Sequence, residues 1–241
     1  MAVRAVLVDI DDTLVDTRRA FRAAIAHVVR EWLPHLDADD REAALQHWVH
    51  DPSGHFRAYT RGEVDFRTQR RRRAAELHAM FGGALLDPAG CERWDAGYEG
   101  AFRAAWHACP DAAGFLDALG KAGLPVGAVT NMLSDYQRDK LAALGLLARV
   151  PVVVGVEAVG VGKPAARVFH HACALLRVRP GEVAYVGDEL DVDARAARDA
   201  GLLGVWLDRH GTGWVPDDVP VVRSLAEVPA LLGLTVPSPP S

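Results

Sequence analysis

Two aspartates one residue apart, Asp9 and Asp11, follow an apolar run from Val3 to Val8, and Thr13 stands two residues further on. An ionised carboxylate attacks an electrophile without prior deprotonation. A second carboxylate beside it can pass protons to and from the reacting oxygen, and the pair can hold a divalent cation. The plain alternative is a strand that ends in an Asp-rich turn, since Asp is a common turn former. The Val-rich run predicts a buried strand of a parallel sheet. In such sheets ligands bind beyond the carboxyl ends of the strands, where these aspartates fall. Asp9 is the candidate nucleophile. Side chains of an extended chain repeat every second residue, so Asp11 is expected on the side of Asp9, and Asp12 points away as a structural residue.

Three further pieces support chemistry: Thr130-Asn131, Lys163-Pro164, and Gly187-Asp188 followed by Asp193. With Asp9-x-Asp11-x-Thr13 they resemble, in order and at plausible distances, the four motifs of the haloacid dehalogenase superfamily. The resemblance runs from Val3 to about Leu232. It is closest to the phosphatase branch whose helical cap is inserted after the first motif. It implies a phosphatase that acts on a small phosphomonoester, such as a nucleotide or phosphosugar, through an aspartyl phosphate on Asp9. Asp11 would be the acid and base, and its main-chain carbonyl would complete a metal shell. Thr130 would donate to a phosphoryl oxygen, assisted by the backbone N–H groups of Asp11 and Asn131.

A phosphate monoester adds about two negative charges to a site that already holds carboxylates, so cations are required. Mg²⁺ held by Asp9, the Asp11 carbonyl and Asp188 would meet that need with oxygen ligands alone. Lys163 adds a compact positive charge on the phosphate and on Asp9. Its alternative reading is a surface lysine before a helix-starting proline. The chain has only three lysines, Lys121, Lys140 and Lys163, among 27 cationic residues, which favours the functional reading. Asp193 is read as orienting Lys163 or a metal-bound water, and Glu189 and Asp191 crowd the same loop.

Dehalogenases of the superfamily generally lack the second aspartate, so Asp11 favours phosphate chemistry over carbon–halogen cleavage. A phosphomutase or phosphotransferase would use the same residues. A catalytically idle binding scaffold is the non-enzyme alternative. A receiver-type phosphoacceptor domain is disfavoured by the length and by the aspartates on the first strand. A dinucleotide-binding enzyme would need a Gly-rich turn where Asp11-Asp12-Thr13 stands.

These residues need elements to hold them. After Pro110 the pattern predicts strands at Val126–Thr130, Val150–Val154, Val183–Val186, Leu203–Leu207 and Val221-Val222. Helices are predicted at Ser134–Leu144, Ala165–Leu176, Val192–Ala200 and Leu225–Leu232. Alternating strands and helices imply an α/β class, a Rossmann-like parallel sheet with helices on both faces. From Thr17 to Ala108 apolar residues recur at helical spacing, as in Phe21, Ile25, Val28, Val29 and Trp32. The expected domains are therefore a catalytic core at 1–16 and 109–234, an all-helical cap at 17–108, and a disordered tail at 235–241. Linkers near Asp16 and Cys109-Pro110 would serve as a hinge for a lid that excludes water. Asn131, Met132, Arg57, Arg67 and Arg70 are the candidates for setting specificity.

The 241 residues suffice for a core and a smaller domain. The net charge of −5 argues against nucleic acid as a partner. No apolar stretch approaches the ~20 residues of a membrane span, and no feature specifies an oligomeric state. Three cysteines without Cys-x-x-Cys spacing suggest neither a disulfide framework nor a zinc site. With no signal core at the N-terminus, a reduced cytoplasm is expected.

Overall fold

The structure is a computed structural model that describes residues 3–234; the tail expected at 235–241 lies outside the described residues. The chain opens with β1 (Ala5–Val8) and continues through five helices, α1 (Thr17–Trp32), α2 (Ala38–His50), α3 (His55–Thr60), α4 (Phe66–Met80) and α5 (Pro88–Ala104). It then runs through α6 (Ala112–Lys121), β2 (Val126–Val129), α7 (Ser134–Ala143), β3 (Val152–Val154) and α8 (Ala166–Leu176). The last part holds β4 (Val183–Gly187), α9 (Ala196–Asp199), β5 (Leu203–Leu207), β6 (Val221–Val222) and α10 (Val228–Leu231). The described residues divide into two compact units, 3–16 with 108–234, and Thr17–His107.

The first unit carries a six-stranded parallel sheet in the order β3-β2-β1-β4-β5-β6. All four residues of β1, β2 and their neighbours in the centre are buried, as expected of strands covered on both faces. Alternation along β1 splits the core in two. Val6 and Val8 pack with Phe115 and Leu119 of α6, Leu141 of α7 and Val228 of α10. Ala5 and Leu7 pack with Val168 and Phe169 of α8, Ala197 of α9 and Tyr185 of β4. The Rossmann-like α/β class read from the sequence is the fold observed. The order reverses at β1, which lies between β2 and β4, so the crevice at the carboxyl end of β1 is the topological switch point.

Several details differ from the sequence reading. β3 begins at Val152 because Leu147–Arg149 forms a 3₁₀ turn and Pro151 has no N–H to give a ladder. The helix expected from Val192 begins earlier, as a π-helical stretch over Leu190–Arg195. The helix Ala112–Lys121, with Phe115, Leu116 and Leu119 buried, went unread.

Within Thr17–His107 the described residues form helices and no strand. Asp37, Asp65 and Asp87 stand before α2, α4 and α5, and each carboxylate accepts from a backbone N–H three residues on, satisfying donors that a helix start leaves open. The centre of this unit is aromatic. Trp48 Nε1 donates to the Tyr98 hydroxyl at 3.0 Å, and Trp94 stacks on Tyr98. Two arginines belong to that centre. The Arg70 guanidinium lies 4.1 Å from the Tyr98 ring centroid and Arg73 lies 4.0 Å from that of Trp48. Burial pulls Arg73 down to about 10. Among the specificity candidates, Arg70 is thus a buried packing residue of its own unit. Arg57 donates to the Asp51 carbonyl, and Arg67 is an exposed partner of Glu92.

The two chain crossings pair with one another. Val15 bridges to Ala108, and Cys109 N donates to the Leu14 carbonyl at 2.9 Å.

Close backbone approach leaves no room for a side chain at Gly204. A Cβ on Gly204 would lie 1.9 Å from the Ala194 carbonyl oxygen. Gly204→Ala should therefore destabilise by about 1–3 kcal/mol. Gly100, exposed in α5 with open space around it, should gain about 0.5–1 kcal/mol on Gly100→Ala. Urea denaturation of the two variants checks the opposite signs.

Candidate active site

The carboxyl ends of β1, β2 and β4 bring the sequence candidates together. Asp9 continues the line of β1, its N–H donating to the Val186 carbonyl at 2.9 Å. By alternation its side chain joins the face of Ala5 and Leu7, where α8 packs. The loop leading into α8 carries Lys163, whose Nζ donates to Asp9 Oδ1 at 2.5 Å and to Asp193 Oδ1 at 2.6 Å. Lys163 is 4% exposed, Asp9 5% and Asp193 1%. The Lys163 ammonium also lies 3.1 Å from the Tyr185 hydroxyl, which donates to Asp193 Oδ1 at 2.8 Å. Asp193 Oδ2 accepts from Glu189 N at 3.0 Å. Asp193 is thus fully engaged in holding Lys163 and its own loop.

Gly187 permits this arrangement, since a Cβ there would stand 2.4 Å from the Asp193 carboxyl carbon. The loop that carries Lys163 is held by Asn131, whose Oδ1 accepts from Lys163 N at 2.6 Å and whose Nδ2 donates to Lys163 O at 3.1 Å. The Asn131 amide is therefore committed to the backbone of Lys163.

Thr130 is buried at the end of β2, and its hydroxyl oxygen accepts from Met132 N at 3.2 Å and from Gln137 Nε2 at 2.9 Å. A hydroxyl that accepts twice still has its hydrogen to donate. Thr13, wholly buried, approaches Asp188 Oδ1 at 3.5 Å through its hydroxyl. The Asp188 carbonyl accepts from Trp206 Nε1 at 2.9 Å.

Asp11 takes different partners from Asp9. The chain leaves the strand after Val8, Asp11 bridges to Val15, and Asp12 turns with φ 57°. The Asp11 carboxylate accepts from Lys140 Nζ at 2.6 Å and from Gln137 Nε2 at 2.6 Å. Both donors sit on α7. Sequence reading counted Lys140 as one of three lysines and assigned it nothing; its scarcity was the available signal.

The Thr13 loop has a support that spacing could not reveal. Arg209 donates to the Thr13 carbonyl at 2.7 Å and to both oxygens of Asp111 at 2.9 Å. Asp111 also accepts from Ser224 and Leu225 N. Against partial burial, these bonds hold the Asp111 carboxyl below its ordinary range.

Charge is unbalanced here. One oxygen from each of Asp9, Asp188 and Asp193 lies within 4.8 Å of the others. Burial, with the neighbouring acids, pushes the Asp9 and Asp188 carboxyls well above the ordinary range, while Lys163 pulls Asp9 back. Burial opposes the Lys163 charge, but Asp193 and Asp9 outweigh it and raise the ammonium above its usual range. Lys163 is therefore cationic, and three acids share one ammonium. An oxygen-only donor set with excess negative charge fits a hard divalent cation such as Mg²⁺.

Residues 3–201 match the haloacid dehalogenase-like hydrolases, and the chain belongs to that family. It is similar to a phosphoserine phosphatase of Thermus thermophilus, 40% identical over 109 residues that cover 45% of this chain and 43% of that protein. It is also similar to (S)-2-haloacid dehalogenase 1 of a Pseudomonas strain, 37% identical over 128 residues, 52% of this chain and 56% of that one. The match thus spans about half the length of these curated relatives. The fold is shared with a magnesium-bound putative hydrolase of the family from Bacillus subtilis, with 20% identity, TM-score 0.80, and 97% of this chain and 100% of that chain covered.

Removing the ammonium leaves buried acids without their partner, which costs about 3–5 kcal/mol in a buried pair. Lys163→Met should lose stability near the lower end of that range. Asp9→Asn should lose much less, because Asp193 still pairs with Lys163 and the carboxylate excess falls. Thermal and urea denaturation measure the ranking, and the reverse order would contradict this account of the charge.

Proposed function

We propose that the protein is a Mg²⁺-dependent phosphatase of a small phosphomonoester that works through an aspartyl phosphate on Asp9. The observation that carries this reading is the Asp9 carboxylate at the switch point, bonded to the buried Lys163 and clustered with Asp188. The presence of Asp11, the acid-base group the resemblance calls for, favours phosphate over halide as the leaving chemistry.

A carboxylate oxygen of Asp9 attacks phosphorus as the phosphorus–ester oxygen bond breaks, and the departing oxygen takes a proton from Asp11. A water then attacks the acyl phosphate, gives its proton to Asp11 and releases phosphate, which restores Asp9. The Thr130 hydroxyl donates to a phosphoryl oxygen, and Lys163 opposes the charge that gathers there. Asp193 and Asn131 act through Lys163, one on its ammonium and the other on its backbone. Asp9 and Asp188 carboxylates and the Asp11 carbonyl would hold Mg²⁺. When bound, the ion supplies charge neutralisation and orientation of the phosphoryl group.

The Thr17–His107 unit is read as the cap, and the linkers near Asp16 and Cys109-Pro110 as its hinge. Substrate selection is assigned to the cap with the loop after Thr130. Three unpaired cysteines, Cys91, Cys109 and Cys173, support a reducing, cytoplasmic compartment. Among the described residues no helix is long and apolar enough to cross a membrane.

The purified protein should release phosphate from one or more members of a panel of nucleotides, phosphosugars, phosphoserine, phosphoglycolate and p-nitrophenyl phosphate. EDTA should abolish release and Mg²⁺ restore it, with Ca²⁺ a poor substitute because it favours more and longer ligand bonds. Asp9→Asn should give no turnover and no hydroxylamine-sensitive acyl phosphate. Near-native turnover by Asp9→Asn, or halide release from a 2-haloacid in place of phosphate release, would overturn the reading.

A further inference from the structure

Two of the three lysines in the chain are buried, and each is bonded to one aspartate of the first motif: Lys163 to Asp9 and Lys140 to Asp11. We propose that Lys140 and Gln137 are positioning residues that clamp the Asp11 carboxylate in its working orientation and keep it separate from the Asp9–Lys163 centre. The proposal rests on the phosphatase reading, because it assigns these residues to the proton-transfer steps of that reaction.

The two residues are three apart on α7, hence on one face of the helix. Lys140 is 1% exposed and Gln137 is 0% exposed. A buried ammonium and a buried amide are costly in a helix of ten residues unless they are paired; an apolar side chain at each position would have served packing alone. Here both donate to one carboxylate. Lys140 Nζ donates to Oδ1 and Gln137 Nε2 to Oδ2, each at 2.6 Å. Bonds to both oxygens fix the plane of the carboxylate and not merely its position.

The remaining capacity of Gln137 Nε2 goes to Thr130 Oγ1 at 2.9 Å. One amide therefore ties the acid-base group, on the loop after β1, to the hydroxyl assigned to the phosphate, at the end of β2. The Asp11 side chain is a third exposed, so its own burial would not hold it. An anion two residues from Asp9 and free to rotate would be drawn to Lys163 and to the cation that Asp9 and Asp188 attract. Lys140 supplies that anion with its own counter-charge and removes the competition.

Such a clamp matters only in steps where Asp11 moves a proton. It should leave ground-state binding unchanged and leave expulsion of an acidic leaving group nearly so. The test is a comparison of p-nitrophenyl phosphate with an alkyl phosphate, using Lys140→Met, Gln137→Met and Lys140→Arg in the full chain with Mg²⁺. Misplacing a reacting group by about 1 Å can cost roughly 10²-fold. Lys140→Met should thus lower kcat on the alkyl ester at least about 10-fold with KM within about 2-fold. The p-nitrophenol burst, which reports phosphoenzyme formation, should fall less than about 3-fold. Gln137→Met should lower kcat on the alkyl ester likewise, with a rise in KM besides because it also releases the Thr130 hydroxyl, and Lys140→Arg should recover part of the loss.

In an Asp11→Asn background, Lys140→Met should change the burst by nothing further, since a residue acting through Asp11 has nothing left to act on. Equal loss in burst and turnover, an undiminished effect in the Asp11→Asn background, or full alkyl-ester activity in both Met variants would overturn the clamp. If Lys140→Met does not fold, the alkyl-ester kcat of Gln137→Met decides. A wild-type protein inactive on both esters would instead overturn the phosphatase reading, and the clamp would fall with it.

Discussion

A single ammonium buried between two carboxylates is the constraint on which the rest of this structure depends. Lys163 meets Asp9 at the end of β1 and Asp193 in the π-helical stretch after β4, and all three are almost wholly out of water. A buried ion pair contributes little net stability but is costly to break. The surrounding elements must therefore meet within tenths of an ångström, and several features follow from that demand. Gly187 has no side chain because Asp193 lies against it. Asn131 is spent on the Lys163 backbone. Tyr185 turns its hydroxyl into the same cluster from the middle of β4.

The local balance of charge also explains why the site suits a cation. Asp9, Asp188 and Asp193 converge with one ammonium among them, and burial makes ionisation of Asp9 and Asp188 unfavourable. A divalent cation relieves that excess of negative charge, and so does protonation of one acid. Further along the loop the Asp11 charge is met separately by Lys140. Arg209 and Asp111 brace the Thr13 loop from the far side of the fold. Asp9 and Asp11 thus each have a cationic partner of their own, drawn from different parts of the chain.

The helical unit follows another logic. Its interior is built on Trp48, Trp94 and Tyr98, with Arg70 and Arg73 lying over the rings. Guanidinium groups tolerate such surroundings because they are planar and weakly hydrated. The Arg-rich run of α4 is consequently half internal, and its composition alone would have suggested a solvated face. Arg70 is thus committed to the interior of its own unit.

Much of the site was legible in the chain before any fold was known. Val-rich runs ending in Asp9 and in Gly187-Asp188 declared buried strands with acids at their carboxyl ends, because hydrophobic period and residue type are local properties. The parallel sheet followed from the alternation of strands and helices. Lys163 stood out because lysine is scarce. Tertiary structure alone decided which acid meets which cation. The bonds from Lys140 to Asp11 and from Arg209 to Asp111 and Thr13 join residues 98 to 196 positions apart, and sequence spacing carries no record of such distances. Alternation likewise predicted that Asp9 and Asp11 would share one side, but the chain turns at Asp12 and hands the two carboxylates to different helices' loops and faces. The sequence by itself determined the chemical groups and the strand ends that bear them. Their pairing was decided by the order in which the strands lie and by the burial that forces every charge to find a partner.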